Sequence, residues 1–321
     1  MLSLPDFIEK TIVICFTTEG QTVSFKNDNL LISDKDGKTV LQFSCYRIFS
    51  LWIVGNTTLT SGILQRSKKF GFSIYLFSYG FRVVGVWNSA ADGNFLLREK
   101  QYNYDGLNIA GHIVHNKIKN QIILLKNIRN KNDHQKDVIS ELESYLNYDY
   151  SDFNLKNLLG IEGITTKLFF REWFKDLDWH GRKPRTKIDI TNTLLDIGYT
   201  FLFNMVDAML NLYGFDVFRG VYHRSFYQRK SLVCDLVEPF RCIIDNKIRK
   251  SYNLGQIKKD DFLNIKGQYI LRIDKNKEYT GWLLKELVKY KEDIFLYVQK
   301  YYRCFMRGKD ISEYPEFLIK E

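Results

Sequence analysis

Hydrophobic and polar positions along the first ninety residues alternate in short runs that are typical of β-strands. The runs are rich in β-branched and aromatic residues, and turn-forming pairs such as Glu19-Gly20 and Asp36-Gly37 separate them. Strands are predicted at residues 11–16, 30–32, 40–43, 51–54 and 72–77, with one short helix at 60–69. Their spacing of about ten residues predicts a small sheet or sandwich rather than βαβ units.

The pattern changes after a small, polar stretch at residues 88–94, where we predict a linker. Beyond it, apolar residues recur at helical spacing, most clearly between a capping residue at Asp189 and Gly214. Further helices are predicted at 104–130, 137–147, 161–179, 231–254 and 281–305. The predicted fold class is α+β: an N-terminal β-sheet or sandwich domain at 1–90, a linker at 91–103, and a larger all-α domain at 104–321.

The charge balance indicates an acidic partner. The chain has 47 Lys and Arg against 37 Asp and Glu, a net charge of +10, which favours nucleic acid or an anionic membrane surface. Residues 96–131 carry seven cations against two acids and residues 224–259 carry nine against three, whereas the first 95 residues carry nine against seven. We therefore expect the main DNA surface in the helical domain.

Several function classes lack their signatures. No apolar run approaches the roughly 18 residues of a membrane span, and the N-terminus has no signal-peptide pattern. The phosphate-binding P-loop, the dinucleotide-binding glycine motif, the serine-hydrolase elbow and the H-E-x-x-H zinc motif do not occur. Five widely spaced cysteines predict reduced thiols. A cytoplasmic protein without membrane association is expected.

His223, Asp235 and Glu238 lie close together in an apolar stretch that also contains several cations. Buried carboxylates and imidazoles are costly unless they are paired or bind a metal, and a cationic surround suits a polyanion. The stretch suggests a metal-dependent site acting on nucleic acid. Two other interpretations remain open: Asp235 and Glu238 also match a helix capping box, and a histidine at such a position is often only structural.

Glu162 stands between Gly160 and Gly163 at the predicted start of a helix. Glycines there let a phosphate backbone come close to a carboxylate that holds a metal. Equally, the acid could be favoured by the helix N-terminus while a glycine serves a turn. His112 and His115 are interpreted as a solvated or DNA-facing helix surface.

Several motifs occur in order along the chain. They are Lys117-x-Lys119-Asn120-Gln121, Gly160-x-Glu162-Gly163, Lys183-Pro184, Asp189-x-x-Asn192-x-Leu194-Leu195-x-x-Gly198-Tyr199, Gly220-x-x-His223, and Ser231-Leu232-x-x-Asp235-Leu236-x-Glu238-Pro239-Phe240-Arg241. Together they resemble the CRISPR spacer-acquisition integrase family, the CRISPR-associated endonucleases of the adaptation stage. One departure is Cys242, where the family usually has proline.

The resemblance implies a catalytic and metal-binding set of Glu162, His223 and Asp235, with Glu238 as a supporting acid. Two carboxylates and one imidazole suit Mg²⁺ or Mn²⁺. The implied reaction inserts short DNA fragments into a CRISPR repeat by attack of a 3′-OH, or cleaves DNA when water attacks. Alternatives are a structure-selective repair nuclease and a catalytically inactive DNA-binding scaffold.

The resemblance also implies partners. They are double-stranded DNA (prespacer fragments and the CRISPR repeat), a second copy of the chain that dimerises through the β domain, and a small ferredoxin-like adaptation protein, all in the prokaryotic cytoplasm. Candidate DNA-contacting residues are Lys117, Lys119, Lys183, Arg185, Arg224, Arg229, Lys230 and Arg241.

Overall fold

A computed structural model describes residues 3–89, 93–148, 153–223 and 226–320. Its N-terminal part contains seven strands and two helices within the described residues. They are α1 (Leu4–Ile8), β1 (Thr11–Phe16), β2 (Thr22–Lys26), β3 (Asn29–Ser33), β4 (Thr39–Ser44), β5 (Ile48–Val54), α2 (Ser61–Phe70), β6 (Ser73–Phe77) and β7 (Val83–Trp87).

The strands form two sheets, with orders β1-β5-β6-β7 and β2-β3-β4. The smaller sheet and α2 cover one face of the larger sheet, around buried residues such as Leu30, Leu51 and Ile63. The opposite face, with Trp52 and Tyr75, packs on the helical part. The predicted β domain is therefore confirmed, and its larger sheet is buried on both faces.

The prediction that βαβ units are absent is wrong. β5 and β6 pair in parallel, and α2 forms the crossover between them. All seven residues of β5 are buried, as is usual for a parallel strand with both faces covered. In the sequence such a strand is a continuous apolar run. The distance between the β5 and β6 runs therefore did not show that the two strands pair in parallel through a helical crossover.

The C-terminal part is largely helical. Its elements are α3 (Phe95–Asn103), α4 (Asn108–Lys126), α5 (Asp133–Leu146), α6 (Leu155–Trp173), α7 (Ile190–Tyr213), α8 (Ser231–Val237), α9 (Arg241–Asn253), the antiparallel hairpin β8 (Phe262–Ile265) and β9 (Gln268–Leu271), α10 (Asn276–Lys289) and α11 (Lys291–Arg307).

Three predicted features of this part need correction. Residues 95–103 of the predicted linker form α3, which buries Leu97 and Gln101. The predicted all-α domain contains the hairpin β8–β9. The helix predicted at 231–254 is divided by a 3₁₀ turn, Glu238–Phe240, because proline cannot donate the backbone hydrogen bond of a continuing α-helix.

The two parts share one continuous hydrophobic core. Trp52 of β5 lies 5.1 Å from Phe201 of α7, measured between ring centroids. Behind this contact the buried carboxylate of Asp207 accepts hydrogen bonds from the Tyr75 hydroxyl at 3.1 Å and the Lys230 ammonium at 2.6 Å. The β domain is thus fixed to the helix that forms one wall of the candidate site.

The C-terminal segment lies along α4 and is held there by amide side chains. Asn116 donates to the carbonyl of Phe317 at 2.7 Å and accepts from its N–H at 2.9 Å. Asn120 accepts from the N–H of Ile319 and donates to the carbonyls of Phe317 and Pro239. Asn120 therefore joins α4 to both the C-terminal segment and the 3₁₀ turn that carries Glu238.

We predict that Asn120→Ala destabilises the protein by about 2 kcal/mol or more, because it leaves several buried polar groups without partners. Urea unfolding followed by circular dichroism measures this. Asn103→Ala, at an exposed position at the end of α3, is the matched control and should change the stability by less than about 0.5 kcal/mol. Equal effects of the two substitutions would contradict the structural role of Asn120.

Candidate active site

A cavity of about 250 Å³ opens between α4, α6, α7 and the α8–α9 segment. Each of the six sequence motifs contributes at least one residue to its lining, but Asp235 is not among them. The lining residues are Lys117, Gln121, Glu162, Thr166, Phe170, Arg182, Pro184, Tyr199, His223, Glu238, Arg241, Cys242 and Asp245.

Glu162 reaches this cavity from the interior of a helix. α6 begins at Leu155, and its cap is Asn154, whose side chain accepts the backbone N–H of Asn157. Glu162 therefore lies in the third turn, and the prediction that it starts a helix is wrong, as is the interpretation as a helix-start acid. A Cβ built on Gly160 or Gly163 meets nothing within 4 Å, so the surface beside the carboxylate is open.

Asp235 lies in α8 and binds the loop that precedes it. Its buried carboxylate accepts hydrogen bonds from the backbone N–H groups of Val221 at 2.6 Å, Tyr222 at 3.0 Å and His223 at 2.7 Å. Gly220 is required beside it, because a Cβ there would lie 2.7 Å from Asp235 Oδ2. The capping-box interpretation is wrong, because α8 begins four residues earlier at Ser231.

The same carboxylate orients the imidazole of His223. Asp235 Oδ1 lies 2.8 Å from His223 Nδ1. When Nδ1 carries the proton and donates to this oxygen, Nε2 keeps its lone pair for a ligand. A carboxylate behind a histidine is the usual arrangement for fixing the tautomer of a metal-binding imidazole.

A buried ion cluster occupies the centre of the cavity. The Lys117 ammonium contacts Glu162 and lies 2.7 Å from Glu238 Oε2. Arg241 Nε lies 3.0 Å from the same oxygen of Glu238. Burial acts to raise the pKa of Glu238, but the charges of Arg241 and Lys117 outweigh it and hold that pKa at about 2. Glu238 is therefore ionised at neutral pH.

A second polar layer lies beside the cluster. The Tyr199 hydroxyl donates to the buried carboxylate of Asp245, whose pKa burial raises to about 7 despite this hydrogen bond. The guanidinium groups of Arg182 and Arg241 lie 5.4 Å and 4.7 Å from the centroid of the Tyr199 ring. Tyr199 thus separates two arginines that both face the cavity.

The structure divides the four predicted acidic and imidazole residues into two groups. Glu162, His223 and Glu238 line the cavity, whereas Asp235 lies behind the imidazole. In this conformation no three acidic, cysteine or histidine side chains of the described ranges are close enough together to hold a metal ion. Lys117 instead lies between two of the carboxylates.

The predicted DNA-contacting residues have different surroundings. Lys117 is buried in the site rather than on a DNA surface, and Lys230 is paired with the buried Asp207. Lys119 pairs with Glu316 at 2.7 Å. Lys183 and Arg185 are exposed, Arg229 is half-buried, and Arg241 lines the cavity. Arg224 lies outside the described residues.

The two histidines predicted on a solvated or DNA-facing helix surface are half-buried instead. His112 Nε2 lies 2.9 Å from the carbonyl oxygen of Pro315, and His115 Nε2 lies 3.3 Å from that of Leu146. Both rings face neighbouring backbone because α4 is covered on this side.

Sequence reasoning missed the roles of Arg182, Tyr199 and Asp245. Tyr199 stands in an apolar helical repeat, and Asp245 and Arg182 stand alone in the sequence. Only the packing of α7 against α9 brings Tyr199 and Asp245 together. A signal did exist for Tyr199, which is the last residue of the motif that begins at Asp189.

Comparisons with known proteins identify the family of the chain. A family model described as "CRISPR associated protein Cas1" matches residues 14–283, most of the chain. The chain belongs to the Cas1 family. The family and the function predicted from motif order, a Cas1-type integrase and endonuclease of CRISPR adaptation, are thereby confirmed.

Individual relatives resemble the chain over most of its length. A "CRISPR-associated endonuclease Cas1 1" from Thermodesulfovibrio yellowstonii is 27% identical over 278 residues, covering 81% of this chain and 86% of the relative. A casposase bound to an integration product shares the fold, with a TM-score of 0.76, 20% identity, and coverage of 97% and 96%. A Cas6-RT-Cas1–Cas2 complex contains a similar region, with a TM-score of 0.82, 21% identity, 98% of this chain and 36% of that one.

Within the described residues, no helix combines the length and the apolar character that crossing a bilayer requires.

We predict that Lys117→Met lowers the free energy of unfolding by about 3 kcal/mol or more, measured by urea denaturation in the presence of EDTA. Removing one partner from a buried ion cluster leaves uncompensated charge, here the carboxylates of Glu162 and Glu238. Lys119→Met is the matched control on the same helix. Its ion pair is partly exposed, so its loss should be below about 1 kcal/mol. A Lys117→Met protein as stable as the control would contradict the proposed importance of the cluster.

Proposed function

We propose that this Cas1-family protein is a metal-dependent DNA strand transferase whose metal ion is held by Glu162, His223 and Glu238. The observation that carries the proposal is the convergence of these three side chains on one cavity, with a cation between the two carboxylates. The divalent ion is Mg²⁺ or Mn²⁺, and the substrate is double-stranded DNA.

The chemistry of the donor set fits such an ion. Carboxylate oxygens and one imidazole are ligands that Mg²⁺ and Mn²⁺ accept, with positions left for phosphate oxygens. The ammonium of Lys117 lies between the carboxylates of Glu162 and Glu238, which stabilise positive charge at that position. Loading of the site therefore requires Lys117 to withdraw from at least one of the two carboxylates.

The geometry favours Glu238 over Asp235 as the third ligand. Asp235 is fully buried, and both of its oxygens accept hydrogen bonds from the loop 221–223. Glu238 lines the cavity, and its low pKa leaves it ionised. Asp235 then acts through His223, by fixing the direction of the imidazole.

When bound, the metal ion supplies Lewis-acid activation of the phosphodiester and stabilises charge on its oxygens. Arg241 and Arg182, at the wall of the cavity, contribute cationic groups that bind phosphate. Attack by a DNA 3′-OH forms one phosphodiester bond and breaks another, so the reaction needs no ATP. Attack by water cleaves the strand.

The nuclease alternative uses the same side chains and differs only in the attacking group. The inactive scaffold has less support, because its premise was that Glu162, Asp235 and Glu238 serve as helix caps. Asp235 binds a loop and Glu162 lies inside a helix.

The partners are also part of the proposal. One structural neighbour is a complex with Cas2 and another is bound to an integration product, and we propose a small Cas2-type adaptation protein and DNA as partners here. Exposed Lys183 and Arg185, next to the cavity residues Arg182 and Pro184, are placed to contact that DNA.

An exposed edge strand supports the proposal that the protein dimerises through its β domain. β4 is the last strand of the three-stranded sheet, and it exposes 52% of Val40 and 37% of Leu41. An exposed apolar edge strand is usually covered by a partner.

We predict that Glu238→Gln abolishes Mn²⁺ binding at the site, together with strand transfer into a supercoiled plasmid that carries a CRISPR repeat. Mn²⁺ binding is measured by electron paramagnetic resonance. His223→Ala should behave alike, while both variants keep most of their DNA affinity, because phosphate contacts dominate binding.

Asp235→Asn tests whether Asp235 orients His223, as proposed, or is itself the third metal ligand in place of Glu238. An orienting role predicts Mn²⁺ affinity reduced by a factor of about 10 to 100 but still measurable. Complete loss of Mn²⁺ binding in Asp235→Asn, with normal binding in Glu238→Gln, would overturn the assignment.

We also predict that Val40→Glu with Leu41→Glu yields a monomer at micromolar concentration, measured by sedimentation velocity, whereas the wild type is a dimer. The matched control, Leu254→Glu, changes an exposed apolar residue at the end of α9, outside both sheets, and should leave the dimer intact. A monomeric wild type would remove the basis for this assignment.

A further inference from the structure

A second and larger cavity, of about 730 Å³, lies outside the candidate active site. None of the site residues predicted from the sequence lines it. It is lined by Leu124, Asn127, Ile128, Arg129, Trp173, Asn246, Arg249, Lys250 and Asn253. Apart from residues 127–129, which follow α4, these side chains come from α4, α6 and α9.

The two cavities follow one another along the same three helices. α4 supplies Lys117 and Gln121 to the active site and Leu124 to the second cavity. On α6 the corresponding neighbours are Phe170 and Trp173. The indole N–H of Trp173, in the second cavity, donates to the backbone carbonyl of Asp245, in the active site, at 3.1 Å. The second cavity is therefore a groove that neighbours the active site along these helices.

Its charge is strongly positive. Arg129, Arg249 and Lys250 line it, and no carboxylate is among its described lining residues. Arg249 is fixed in place, since its guanidinium stacks on Trp173 at 4.7 Å and donates to the carbonyl of the same residue. The nearest acid in contact is Asp176 at the rim, 3.6 Å from Arg249.

The remaining polar groups are amides. Asn127, Asn246 and Asn253 add N–H donors around the three cations. Cations and neutral donors together suit phosphate oxygens. The ring of Trp173 is only 4% exposed and carries Arg249 on one face, so base stacking on it is disfavoured.

We infer that this groove binds the phosphate backbone of a DNA strand whose reacting end lies in the active site. The inference rests on the proposed function, because it extends the path of that substrate. From Lys117 to Asn127, α4 rises by about 15 Å. A single strand that keeps the stacked spacing of a duplex strand, about 3.4 Å per nucleotide, places the second contact about four nucleotides from the reacting phosphate.

The test measures DNA affinity in EDTA as a function of salt, for the wild type and for Arg129→Glu with Lys250→Glu. The probe is a fluorescent duplex with a single-stranded extension of about six nucleotides. We expect weaker binding and a salt slope reduced by about 2, roughly one per lost phosphate contact. A probe with an extension of about two nucleotides should be bound alike by both proteins.

Two further variants distinguish the loss of a local phosphate contact from a change in net charge or added repulsion. Lys26→Glu with Lys38→Glu makes the same change in net charge at exposed positions of the three-stranded sheet and should leave affinity and slope unchanged. Arg129→Gln with Lys250→Gln removes the cations without adding repulsion and should give a smaller shift in the same direction. Thermal melts of all variants verify folding.

The outcomes distinguish this inference from the proposed function. A wild type that binds no DNA would refute the proposed function and the inference together. A wild type that binds DNA, with unchanged affinity and slope in the reversed pair, would overturn the inference alone. An equal loss in the Lys26 and Lys38 control would also overturn it, because the effect would then be one of net charge.

Discussion

The carboxylate of Asp235 is the group on which the candidate active site depends. It accepts three backbone N–H groups and the imidazole N–H of His223, and it is fully buried. The loop 220–223 has no strand or helix ladder to satisfy those N–H groups, and unpaired buried amides are costly. A single side chain thus holds the loop and sets the direction in which the imidazole faces.

A similar constraint applies to α4, which is buried along most of its length. Polar residues on such a helix are stable only where partners meet them. Lys117 meets Glu162 and Glu238, and Asn120 meets Pro239 and Phe317. Lys117 and Asn120 therefore connect Glu162 and Glu238 to the C-terminal segment.

Local patterns predicted the β-rich and helical halves, because strands and long helices follow from periodicity within one segment. Pairings between distant segments were not predictable: the parallel β5–β6 pair reads as two isolated apolar runs. Counting charges also failed for Lys117 and Lys230, because the sequence does not show that Glu238 and Asp207 are buried beside them. The spacing of Asp235 and Glu238 matched a capping box. In the structure Asp235 lies in α8 and Glu238 begins the 3₁₀ turn that contains Pro239, so the two side chains have different surroundings.

The charges of the cavity explain why a divalent ion and a phosphate would enter together. The carboxylates of Glu162 and Glu238 and the carboxyl group of Asp245, whose pKa burial raises to about 7, face three cations (Lys117, Arg182 and Arg241) among its lining residues. The net charge of this set is therefore small without substrate, and a phosphodiester alone would add negative charge to a partly desolvated space with little to balance it. A divalent ion held by the proposed ligands would balance that charge and leave the Lys117 ammonium available to the phosphate. On this argument the ion cluster keeps the metal-free protein stable, and the same side chains would form the proposed site for metal and DNA.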